Sequence, residues 1–442
     1  MGSLEPRPTS GPKYLSPWFP ERKETLSLDD GFDQTPVLKE ILGHYNSDCM
    51  SSAKFYSALV SLKPYWATSQ WPLLNSTAVN RKKLRMAYST IAPSVVSISS
   101  FVGLERKIEC SGVIIDWRSS ENEATILTSA RLLLTPKISD FFEFHIIVRM
   151  VDGTLLLAKE DRVDYYYNLL TLKVKSTVEL SVVDLKSRQA DIVDGMHVIA
   201  LGRSFYDYAL CDYSGKLYLE YPKFGCNELL TSTCCTPENC CEGGPLINDT
   251  GNVVGVNFCY GFAHPLPISV IIECLEMWRS ASTVLRPWVG MSVVDANQLS
   301  YKAMEKSNMS LEDSYVVVTK VYGGSLAEKN NVRSGDLVAT LNGTIIHSAK
   351  QYSQLFLSET SRATCGNSGQ QNFTVVINPF NRRIDNISIE ADYVSVEDKR
   401  FFESWIRYED NQWDSQKFGS QKNPAVDWMY ERGKGLVGRL AN

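Results

Sequence analysis

The stretch Cys240-Cys241-Glu242-Gly243-Gly244-Pro245-Leu246, followed by Gly251-Asn252-Val253-Val254-Gly255-Val256-Asn257, decides how the chain is read. Its Gly-Gly-Pro punctuation marks a tight turn, and Asn252 to Val256 is a short β-rich run behind it. Runs of the same texture extend outward from there. Val95-Val96-Ser97-Ile98, Gly112-Val113-Ile114-Ile115, Ala124-Thr125-Ile126-Leu127, Phe144-His145-Ile146-Ile147-Val148 and His197-Val198-Ile199-Ala200-Leu201 alternate with turn signals between about 92 and 280. Many short strands at this spacing favour an all-β barrel or sandwich.

Three blocks in this region occur in a telling order. The first is Cys110-Ser111-Gly112-Val113-Ile114-Ile115, continued by Ile126-Leu127-Thr128-Ser129-Ala130. The second is Asn168-Leu169-Leu170-Thr171-Leu172-Lys173-Val174, and the third is the Glu242 stretch. A second unit opens at Arg286-Pro287-Trp288 and carries Gly323-Gly324-Ser325-Leu326-Ala327-Glu328, Val332-Arg333-Ser334-Gly335-Asp336-Leu337-Val338 and Leu341-Asn342-Gly343. Together these resemble the Deg/HtrA (protease Do-like) family, in which a trypsin-like serine protease domain precedes a PDZ domain. The resemblance covers about 300 residues and implies a mainly β fold. It is a chymotrypsin-like double β-barrel, then an α+β PDZ domain, with N- and C-terminal extensions. The expected boundaries are 1–91 for a flexible arm and partly helical extension, 92–280 for the protease-homologous domain, 285–392 for the PDZ domain and 393–442 for a tail.

The resemblance also locates three departures. The family's histidine base aligns with Arg131, its orienting aspartate with Asn168 and its serine nucleophile with Glu242. Arginine cannot serve as a general base near neutral pH. Asparagine supplies no carboxylate, and glutamate has no hydroxyl to attack a carbonyl. The oxyanion loop is altered too, because Cys240 stands where the family has glycine, ahead of Glu242. The resemblance therefore implies a degenerate triad in a catalytically inactive homologue. Base and nucleophile lie within hydrogen-bond reach in the parent fold, so Arg131 and Glu242 are expected to pair across the old site, with Asn168 beside them.

An active serine-type or cysteine-type endopeptidase with a non-standard site is the alternative. Its thiol would be Cys241, next to the nucleophile position. None of His44, His145, His197, His264 and His347 falls in a triad block. The cysteines Cys226, Cys234, Cys235, Cys240, Cys241 and Cys259 lack paired Cys-x2-Cys spacing and are expected to be buried small hydrophobes, with no metal and no cofactor.

The binding function implied by the resemblance lies elsewhere. The family's peptide loop runs aromatic or apolar, apolar, Gly, apolar, and Trp288-Val289-Gly290-Met291 fits it. Such a loop holds the C-terminus of a protein or peptide, added to the sheet as a strand. Mixed or homo-oligomers with related proteases are compatible with the family's habit of assembly.

Composition narrows the setting. The 442 residues are 44% hydrophobic and 21% charged, with a net charge of -5 and a pI near 5.7. That is ordinary globular composition, with no basic footprint for nucleic acid or an anionic membrane. Arg81-Lys82-Lys83 with Arg85 reads as a solvated helix face. No apolar run reaches the roughly 18 residues of a membrane span. The 11 cysteines are an odd number, and no signal peptide is recognised, so an intracellular place, cytoplasmic or nuclear, is expected.

Overall fold

The computed structural model describes residues 86–103, 105–134, 144–205, 208–219, 226–236, 239–258, 261–299, 315–365, 372–379 and 385–402. The N-terminal arm, the helix expected at Val37–Leu42, the basic run, Cys259 and most of the tail lie outside these residues. The chain is mainly β, with few helices.

The first barrel contains β1 (Val95–Val102), β2 (Glu105–Arg118), β3 (Glu123–Ser129), β4 (Phe144–Arg149), β5 (Leu155–Asp164) and β6 (Leu169–Lys175). Its closed order is β1-β2-β3-β6-β5-β4, and every ladder is antiparallel. Closure needs tight coiling, and bulges supply it at Ser100/Phe101, between Ile114 and Asp116, and between Glu160 and Arg162. Ile98, Ile114, Ile126, Leu127, Leu170 and Leu172 are buried on the faces of its sheet with no exposed surface. Ile91 is fully buried in the same core, so the folded unit starts a few residues before the expected boundary at 92.

The second barrel is nearly closed. It contains β7 (His197–Arg203), β8 (Leu210–Tyr218), β9 (Thr231–Ser232), β10 (Cys235–Thr236), β11 (Pro245–Asn248), β12 (Val253–Phe258), β13 (Gly261–Phe262) and β14 (His264–Pro267). Six of these strands form one sheet in the order β14-β12-β11-β7-β8-β9, while β10 pairs with β13. Leu230 N–H donates to Pro265 O at 2.9 Å, which brings the two edges together. Helix α1 (Ile268–Ser280) then covers the core with Ile271, Cys274, Leu275 and Trp278. Arg203 staples the barrels to each other. Its guanidinium donates to the carbonyls of Val95 (2.7 Å), Tyr208 (2.6 Å) and Ala92 (2.8 Å).

The second unit contains β15 (Leu285–Trp288), β16 (Met291–Asp295), β17 (Val316–Val321), α2 (Leu326–Lys329), β18 (Leu337–Leu341), β19 (Thr344–Ile345), α3 (Ala349–Cys365), β20 (Thr374–Asn378), β21 (Ile387–Glu390) and β22 (Asp392–Ser395). Its sheet runs β16-β17-β18-β20-β21, with β19 on β18 and β15 paired separately with β22. The strand expected over Val289–Val294 is broken at Gly290, whose φ of +82° turns the chain between β15 and β16. Helix α3 is longer than the expected Ala349–Leu357, because no Gly or Pro interrupts it before Gly366. Its first turn is well satisfied. Ser348 Oγ accepts from Gln351 N–H (3.1 Å), and Asp295 Oδ1 accepts from Ala349 N–H (2.6 Å). The expected boundary after 392 also shifts. β22 crosses it, and a 3-10 turn at Lys399–Phe402 follows, with Val396 and Phe401 buried in the barrel core. No described helix is long and apolar enough to cross a membrane.

One buried carboxyl makes the fold sensitive to pH. Asp164 closes the corner before β6 by accepting from the N–H groups of Tyr166 (2.8 Å) and Tyr167 (3.0 Å). Burial raises its pKa to about 6, against the opposing pull of those bonds and of Arg286. A raised carboxyl favours the native state when protonated, and this advantage fades as pH climbs from about 4 to about 6. Asp164→Asn keeps the acceptor oxygen. The stability difference between variant and parent, from urea unfolding, is expected to grow by up to about 3 kcal/mol over that window and to stay flat above it.

Candidate functional site

The two barrels meet where the three blocks converge. Arg131 follows β3 in a 3-10 turn over Ala130–Leu133, Asn168 occupies the corner before β6, and Glu242 lies in the loop before β11. The loop is fixed from both sides. Ser111 N–H donates to Glu242 O (2.6 Å), Gly243 N–H to Asn257 O (2.8 Å) and the Ser111 hydroxyl to Cys240 O. Gly243 is required at its position. Its φ is +75°, and a Cβ there would lie 2.4 Å from Ser111 O and 2.9 Å from Ser129 N.

The side chains form one connected group. Arg131 Nη1 lies 3.2 Å from Glu242 Oε2, with side-chain exposures of 12% and 4%. Those values make the pair a largely buried one, where strength depends on further bonds to each partner. Ser129, fully buried, supplies them. Its Oγ lies 2.9 Å from Glu242 Oε1 and 3.0 Å from Asn168 Oδ1. Asn168 Oδ1 also receives the Arg131 N–H at 3.1 Å, so the one hydroxyl proton is best used by the carboxylate. Asn168 sits at φ +57°, a left-handed conformation that asparagine tolerates, and its carbonyl takes the Ala130 N–H at 3.1 Å. Structure thus brings Arg131, Asn168 and Glu242 together, with Cys240 on the adjoining turn.

Sequence reading missed the bridging role of Ser129. The signal available was local: Ser129 is the N-cap of the 3-10 turn, and its Oγ accepts from Arg131 N–H at 3.2 Å.

The chemistry this group can perform is limited. It holds a cation, a carboxylate, an amide and a hydroxyl, with no imidazole to move a proton. His197 instead faces Asp249 (2.6 Å), and His145 and His264 lie on β4 and β14. Cys241 is buried, and burial pushes its thiol up, away from the reactive thiolate. Of the other clustered cysteines, Cys226, Cys234 and Cys240 are buried, but Cys235 is exposed, contrary to expectation, because successive side chains on β10 and its approach face opposite ways. Among the described residues no group of three or more His, Cys, Asp or Glu is placed to hold a metal ion.

The trypsin-like peptidase domain family matches residues 110–256, the span that contains all three blocks. The chain is 25% identical over 282 residues to protease Do-like 14 of Arabidopsis thaliana, covering 60% of this chain and 64% of that protein. It is 27% identical over 216 residues to a periplasmic serine endoprotease, DegP-like, of Hahella chejuensis, covering 46% and 44%. The chain thus carries a trypsin-like peptidase domain and is similar to Deg/HtrA proteases. It spans less than two thirds of the length of either relative. A serine endoprotease from Yersinia pestis of known structure covers 71% of this chain at 20% identity, with a TM-score of 0.46.

The Trp288–Met291 loop is a separate feature from the barrel group. Val289 and Met291 are buried, Gly290 O accepts from Tyr322 N–H (2.9 Å) and Ser325 Oγ–H (3.2 Å), and Val289 O accepts from Ala327 N–H (2.9 Å).

A double-mutant cycle on Arg131→Met and Glu242→Gln tests the ion pair. Breaking a buried pair costs about 3–5 kcal/mol, and the partial exposure of Arg131 places the coupling between the two changes at about 1–3 kcal/mol. Urea unfolding of the four proteins measures it, and a coupling near zero contradicts a closed pair.

Proposed function

We propose that this protein is a catalytically silent Deg/HtrA homologue that captures peptides through its second unit. The Arg131–Glu242 ion pair carries the first half of the reading. Where the family has a base and a nucleophile, this chain has two charges that satisfy each other, and Ser129 occupies the carboxylate's other oxygen. The Ser129 hydroxyl is fully buried between Asn168 and Glu242, and the Glu242 carboxylate is held by Arg131, so neither is offered to a substrate carbonyl. A cysteine-type mechanism finds no support, since the Cys241 thiol is buried and raised.

The second half rests on the Trp288–Met291 loop, read as the carboxylate-binding loop of a PDZ-type domain. Gly290 permits close approach of a ligand backbone. The carbonyls of Val289 and Gly290 are turned to Ala327, Tyr322 and Ser325, so the loop presents N–H groups, the chemistry that holds a carboxylate. Among the described residues β16 is an edge strand, and α3 lies beside it, the arrangement in which a peptide adds as a further strand. The partners are then protein or peptide C-termini. Assembly with itself or with related active proteases, and an intracellular place suggested by the cysteine usage of the sequence, belong to the same proposal.

Fluorophosphonate labelling of the purified chain tests the silent site. No covalent adduct is expected, and an adduct lost in Glu242→Ala or Arg131→Ala overturns the reading. A C-terminal peptide library, with amidated copies as controls, tests capture. Gly290→Ala places a Cβ 2.0 Å from Ser325 Cβ at a positive φ, so it distorts the loop. Affinity for free-carboxylate peptides is expected to fall at least about tenfold, since 1.4 kcal/mol of lost contacts suffices for that.

A further inference from the structure

The first strand of the second unit carries a buried cation that neither the barrel site nor the peptide loop uses. Arg286 is 2% exposed, although it lies on β15, the first strand after α1. Its guanidinium stacks 3.5 Å from the ring centre of Tyr166 and 5.0 Å from that of Tyr167, both on the first barrel. Nη2 lies 3.9 Å from Glu228 Oε1, on the second barrel. Glu228 is itself buried. Its Oε1 receives the Tyr167 hydroxyl (2.8 Å), and its Oε2 the Cys226 thiol (3.4 Å). Arg286 Nη1 is buried with no hydrogen-bond partner, so the aromatic faces and the carboxylate are what compensate the charge.

We propose that Arg286 is an intramolecular latch that fixes the second unit to the double barrel, so that the two behave as one body.

Surrounding contacts support the latch from several directions. Asn227, next to Glu228, donates through Nδ2 to Ser353 Oγ on α3 at 3.2 Å. Tyr165 N–H donates to Val396 O (2.9 Å), and Val396 N–H to Val284 O (3.0 Å), which ties the barrel, the linker and the chain after β22 into one ladder. Arg162 Nη1 donates to Ser282 O in the linker. Phe401 meets Tyr166 edge-on at 5.6 Å and Trp288 edge-on at 6.3 Å, so the first residue of the peptide loop leans on the same cluster. Leu357, Val396 and Phe401 are part of the barrel's apolar core. Units joined by exposed, polar contacts move relative to each other by default. Here separation would expose that shared core and strand Arg286 and Glu228 without compensation.

The latch is independent of whether the loop binds peptide, and its test uses the full chain without ligand. Calorimetry of the parent is expected to show one cooperative unfolding transition, and Arg286→Ala is expected to split it into two. Arg286→Lys keeps the charge opposite Glu228 but loses the planar stacking on Tyr166, so it leaves the fold in place and decides the matter where the alanine variant does not fold. Proteinase K cleavage within residues 281–284 is expected to accelerate at least about tenfold in that variant. Two transitions in the parent overturn the latch, as does a lysine variant whose linker is cut at the parental rate.

Discussion

Everything at the junction of the barrels depends on one buried electrostatic contact, the Arg131–Glu242 pair. A carboxylate that is only 5% exposed in a loop between two barrels needs a cation and a donor. Arg131 and Ser129 provide both, from one turn of the first barrel. Asn168 then serves as an acceptor that holds Arg131's backbone. Each replacement is intelligible only with the others. A lone Glu242 would be a buried carboxylate without its cation, and Arg131 is the largely buried cation that faces it.

The loop around Glu242 is tightly fixed by its backbone. Gly243 has a positive φ, Gly244 packs against Leu201 O, and Asn257 N–H bonds to Gly244 O at 2.9 Å. The fold is stabilised by these backbone constraints and by core packing, neither of which needs a serine or a histidine. In the second unit, Gly290, Ser325 and Tyr322 form a close-packed turn at the edge of a sheet.

Much of the barrel architecture was legible in the sequence, because strands with apolar runs and glycine punctuation are local signals. The pairing of Arg131 with Glu242 was legible through opposite charges at positions that meet in the parent fold. Ser129 was not, since a serine before a turn reads equally as a cap. The Arg286 cluster was hidden for a different reason. Asp164, Tyr166 and Tyr167 share one short stretch, but Glu228 and Arg286 are far from it and from each other in sequence, and only tertiary packing makes a buried group of them. The pairing of β22 with β15, about a hundred residues away, leaves no periodic trace in the sequence.

The most direct measurement of the central claim is hydrolysis of an unfolded protein such as casein by the purified full chain, beside its Glu242→Ala variant. If two mutually paired charges have replaced base and nucleophile, both proteins show the same background rate, with no product that depends on residue 242. Turnover by the parent that disappears in Glu242→Ala would mean that Glu242 takes part in bond cleavage, and it would contradict the closed ion pair as the state of this site.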